Sequence, residues 1–98
     1  MRSEHITLDA AFAALNAAAP AYDRYGNRGV RMHCHADICT VSVDVPPTWD
    51  GLPGTTSIAD GRIVIVEYRN RGVTPVEAVN GCLAALDAVT RAAAEVSA

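Results

Sequence analysis

The apolar pattern predicts an α+β fold. The expected form is a two-layer sandwich, an antiparallel sheet of three to four strands with an N-terminal and a long C-terminal helix on one face, in the order α-β-β-(β)-β-α. Three observations carry this expectation. Apolar residues recur at helical spacing only near the two ends, over residues 7–19 and 74–96. The middle of the chain holds β-branched runs, at 30–45 and 62–69, separated by Pro- and Gly-rich segments. The chain has 98 residues, half of them apolar and 19 % charged, which suits one domain over 1–98 built on a single core.

The first helix is expected over 7–19. Thr7 can cap it, Asp9 suits its positive end, and Leu8, Phe12, Leu15 and Ala19 form one stripe. Pro20 ends it or starts one extra turn closed by Gly26, and a loop with Gly26 and Gly29 leads into the next element. A single strand from Val30 to Val45 would run about 53 Å at ~3.3 Å per residue. A domain of this size measures only about 30 Å across. The apolar phase also switches, from Val30, Met32 and Cys34 to Cys39, Val41, Val43 and Val45. A two-residue turn at Ala36-Asp37 accounts for both facts and pairs Cys34 with Cys39. One long strand with a bulge near Asp37 is the alternative.

Residues 46–54 (P-P-T-W-D-G-L-P-G) read as a loop. Residues 55–59 and 62–69 read as a second hairpin around Asp60-Gly61. I-V-I-V-E-Y is apolar on both faces for part of its length, so that strand is central or has its outer face covered. Thr74-Pro75-Val76-Glu77 combines a cap, a proline at the first helical position and a capping-box glutamate. It starts a helix running to about Val96, with Val76, Val79, Leu83, Leu86 and Ala93 on its buried stripe.

Composition narrows the function classes. A formal charge of −3 gives no global case for binding nucleic acid or an anionic membrane, and no segment is apolar enough to span one. All eight basic residues are Arg, a bias that resembles GC-rich coding as in actinobacteria or their phages. Cys34, Cys39 and Cys82 are an odd set without framework spacing, so reduced thiols in a cytoplasmic protein are expected. A Cys34–Cys39 cross-strand disulfide is the alternative. Asp9 and Asn16 interrupt the N-terminal Ala-rich run, which argues against a signal peptide.

His33, Cys34, His35 and Cys39 are residue types that bind zinc. In the hairpin register, however, the sulfurs face the helices and the imidazoles face away, so no mixed metal site is expected. A surface site on His33 and His35, with His5 or Asp37 as third ligand, stays open. Buried thiols would be inert, which leaves no nucleophilic Cys–His pair. No phosphate-binding Gly loop, catalytic carboxylate pair or cofactor signature is present, so no cofactor is expected.

Tyr22, Arg24, Tyr25, Arg28 and Arg31 interleave aromatics with Arg, a combination that suits nucleic acid. Arg69 and Arg71 would join this patch if their strand ended beside Val30. The element order resembles that of the double-stranded-RNA-binding domain. That family presents Lys where this chain has Thr74-Pro75-Val76-Glu77, so the resemblance does not carry its phosphate-binding residues over. Trp49 is either a plug over the core or an anchor for a partner. If Val64, Val66 and Tyr68 join the core, Ile63 and Ile65 point outward beside His33 and His35. The leading expectation is therefore a non-enzymatic module that binds itself or a host protein through Ile63, Ile65, His33, His35 and Trp49. Nucleic-acid binding and metal binding are the alternatives.

Overall fold

Two helices and an antiparallel sheet form two layers, in a computed structural model that describes residues 6–36, 38–58, 63–69 and 74–97. Helix α1 spans Leu8–Ala18, strand β1 Val30–His35, β2 Ile38–Val45, β3 Thr56–Ser57 and β4 Ile63–Arg69, and helix α2 spans Pro75–Ser97. A short 3-10 turn, Pro47–Trp49, lies between β2 and β3. Among the described residues no helix is long and apolar enough to cross a membrane.

Each helix starts where its side chains satisfy the first free backbone N–H groups. The Thr7 hydroxyl accepts from the Ala10 N–H at 3.2 Å. At α2 the capping box is complete: the Thr74 N–H donates to Glu77 Oε1 at 3.2 Å, and the Glu77 N–H donates to Thr74 Oγ1 at 3.3 Å. The α1 stripe buries Ala11 and Leu15, with Ala19 just beyond it. The α2 stripe buries Ala78, Val79, Cys82, Leu83, Leu86 and Val89. Helix α2 lies over β2 and β4, and α1 packs beside α2.

The sheet order is β1-β2-β4-β3, all antiparallel. The β1–β2 register pairs Val30 with Val43, Met32 with Val41 and Cys34 with Cys39, as the two-residue turn requires. Ala36 takes φ 55°, the left-handed conformation such a tight reversal needs. One unbroken strand would not fit a molecule whose longest extent is 38 Å. Cys39, Val41, Val43 and Val45 line the helix-covered face of β2.

Two expectations about the second half of the sheet need correction. Thr56 pairs with Val64, whereas a two-residue Asp60–Gly61 turn would pair it with Ile65; the turn itself lies outside the described residues. The alternation of β4 is also the reverse of that expected. Ile63 stands opposite Val45 and Ile65 opposite Val43, both on the helix-covered face, while Val64 stands opposite Asp44. Val64 is 2 % exposed yet belongs to no part of the core cluster. Ile63 and Ile65 therefore do not occupy outward register positions; Val64, Val66 and Tyr68 do.

Candidate functional site

The face of the sheet turned away from the helices brings together the side chains with most chemical potential. Along β1 it carries Arg31, His33 and His35, and along β2 Ile38, Thr40, Ser42 and Asp44. The register adds the positions of Val64, Val66 and Tyr68 on β4. His33 and His35 are exposed, and Ile38, opposite His35, is half-buried. Among the described residues no group of three His, Cys, Asp or Glu side chains converges as a metal site. The third ligands considered for a His33–His35 site, His5 and Asp37, lie outside the described residues.

The cysteines differ from the expectation of two buried, reduced thiols. Cys34 and Cys39 are joined as a disulfide, with their Cα atoms 4.1 Å apart. The two-residue turn explains the pairing. His35 and Ile38 close the turn, so the next pair is a non-hydrogen-bonded one, where opposing Cα atoms come closest. Cys39 is buried under the helices, whereas Cys34 is exposed because β1 is the sheet edge. Cys82 is buried within α2 and lies outside the disulfide.

Asp44 carries no sequence signal of its own, yet among the described residues it is a buried acid, 4 % exposed, on the face turned away from the helices. Arg31 Nη1 lies 3.2 Å from one carboxylate oxygen and 3.4 Å from the other. Arg31 faces Ser42, so Asp44 is its diagonal neighbour on the same face. Gly29 extends the ladder by accepting from the Asp44 N–H at 2.8 Å. A Cβ at Gly29 would lie 2.5 Å from Asp44 Oδ2, so only glycine leaves room for the carboxylate. The signal in the sequence was this spacing: a glycine two residues before an Arg, and an Asp at the matching end of the partner strand.

The Arg and Tyr residues do not assemble into one patch. Arg24 stacks over the Tyr25 ring at 5.0 Å and donates to its hydroxyl at 2.7 Å, with Tyr25 74 % exposed. The Arg28 guanidinium points back to the Asn16 carbonyl at 3.5 Å, and Arg31 is engaged by Asp44. Tyr22 lies in the same loop, its N–H bonded to the Asn27 carbonyl. Arg69 stands opposite Cys39, at the turn end of the hairpin, while Val30 stands opposite Val43 at the other end. Four residues of strand, about 13 Å, separate the two positions. The condition for Arg69 to join the patch, a strand ending beside Val30, is therefore not met, and Arg71 lies outside the described residues. At α2 the Glu77 carboxylate already occupies the helix N-terminus, where a phosphate would otherwise sit.

The 22–27 loop is organised by Asp23. Its Oδ1 accepts from the Tyr25 N–H at 2.9 Å and the Asn27 N–H at 3.1 Å, and Oδ2 accepts from Asn27 Nδ2 at 2.7 Å. The Asn27 side-chain bond, with the backbone N–H bonds, holds the Asp23 carboxyl below the ordinary aspartate range. Tyr22 and Tyr25 face Pro46 and Pro47 across an open groove. Trp49 and Leu52 are half-buried against the core, and the loop presses on α2, since a Cβ at Gly54 would lie 3.0 Å from Val89 Cγ2. Trp49 is thus held inward by packing. Comparison with protein-family models, with curated proteins and with solved structures finds no match to this chain.

Proposed function

We propose that this protein is a non-enzymatic, cytoplasmic interaction module that binds a second copy of itself or another protein. It does so through the face of the sheet that the helices leave open and the adjoining β1 edge. The observation that supports this reading is the one-sidedness of the packing: α2 lies over β2 and β4, α1 packs beside α2, and both helices share one core cluster with the same face of β2. The other face offers His33, His35, Ile38 and Thr40, with Val66 and Tyr68 at neighbouring register positions. Apolar positions rimmed by imidazole and hydroxyl groups suit a protein surface better than a phosphate backbone.

Light scattering on a concentration series tests the self-association arm. A mass rising toward the dimer, and returning to the monomer on Thr40→Arg, is the expected result. Thr40 is half-buried on the open face, so the long cation would block docking with little effect on the core. A strict monomer would remove self-association. Equal capture of host proteins by wild type and Thr40→Arg would then remove the open face as a binding surface. Binding of nucleic acid is the weaker reading, because Arg31 is already paired and Arg69 stands at the turn end of the hairpin, away from Val30.

A further inference from the structure

We infer that Cys34 is a site of reversible thiol exchange, at which a low-molecular-weight thiol of the glutathione class opens the Cys34–Cys39 link while the domain stays folded. The inference is independent of what the open face binds. Access is one-sided: Cys34 is exposed on the edge strand, whereas Cys39 is 4 % exposed within the core cluster. An attacking thiolate therefore meets Cys34 Sγ first.

The fold does not depend on the link for its register. It joins residues five apart, and backbone pairs already hold them opposite one another, with His33–Thr40 on one side and His35–Ile38 on the other. A loop this short gives a smaller entropic gain than a cross-link between distant residues would. Once opened, Cys39 remains as a small apolar side chain under the helices, with β2 still paired to β4 along its length.

The exchange balances as follows. A thiolate RS⁻ forms a bond to Cys34 Sγ, the disulfide breaks, and the electron pair leaves on Cys39 Sγ, which takes a proton from solvent. A second thiolate attacks the R sulfur of the mixed disulfide and releases RSSR and the Cys34 thiolate. Two RSH are oxidised, the protein disulfide is reduced to two thiols, and RSSR drives the reverse reaction. Cys39 stays opposite Cys34 throughout, so in the wild type it displaces RS⁻ and closes the link again.

The test equilibrates folded protein in buffers of varied reduced-to-oxidised glutathione ratio, quenches in acid, then alkylates under denaturing conditions and reads each cysteine by mass spectrometry. Cys82 labels throughout as the internal control. Cys34 and Cys39 are expected to pass together from protected to labelled across the series, with the far-ultraviolet circular dichroism unchanged. Cys39→Ser, incubated with oxidised glutathione, is expected to hold one glutathione on Cys34. Three results would overturn the inference: protection lost only with denaturant, both thiols free at every ratio, or a folded Cys39→Ser without an adduct.

Discussion

Strands β1 and β2 face each other residue for residue, yet they live in different environments. On the helix-covered side Val30 is half-buried against a fully buried Val43, Met32 is half-buried against a buried Val41, and exposed Cys34 is bonded to buried Cys39. The residue types are comparable. What differs is that β2 has a strand on each side and helix α2 above it, whereas β1 ends the sheet. Position in the layer, rather than side-chain chemistry, therefore sets how much each residue contributes to the core and how easily solvent reaches it.

The contrast is sharpest for one truncation made at two paired positions. Val43→Ala should cost about 2 kcal/mol of unfolding free energy, and Val30→Ala less than about 1 kcal/mol, since the loss follows the apolar area removed from water. Equal losses in urea titrations would break the comparison. Gly29→Ala comes next, at about 1–2 kcal/mol, because the new methyl collides with the Asp44 carboxylate and the side chain must shift. A crystal structure of this variant should show Asp44 moved away from Arg31.

Arg31→Ala is expected to cost at most about 1 kcal/mol, because the guanidinium side chain is 55 % exposed and screened by water. A larger loss would mean that the edge strand behaves as an interior one. The smallest effect lies in the loop that feeds β1. The Asp23 carboxyl is held below its ordinary range, so its contribution to stability is complete above about pH 4 and is lost as pH falls through the lower folded value. Tyr25 and Asn27 amide resonances should move with a midpoint below that of an unperturbed aspartate, and Asp23→Asn should abolish the movement.

Much of this architecture is legible in the residues themselves, and the illegible parts have physical reasons. The Ala36 reversal follows from chain length against particle size and from the switch in apolar phase. The start of α2 follows from four residues whose side chains close on one another. The phase of β4 is different: Ile63-Val64-Ile65-Val66 is apolar in both phases, so only the partner strand decides which set meets the helices. The separation of Arg69 from Arg31 depended on strand direction and order, which no local pattern encodes. The register makes the disulfide geometrically foreseeable, whereas an odd cysteine count without framework spacing points to reduced thiols. Exposure of Cys34 depended on which strand ended the sheet. The pairing of Asp44 with Arg31 could have been read from the hairpin as a diagonal contact; its burial could not.

The left-handed Ala36 has a consequence for what this scaffold could become. Because side chains alternate strictly along a strand, pairing β1 with β2 one residue out of register would carry every β1 side chain to the other side of the sheet. Both imidazoles would then share a side with the Cys39 sulfur, while Cys34 swung away. The register that Ala36 closes therefore keeps both imidazoles on the solvent side and leaves each sulfur facing the other.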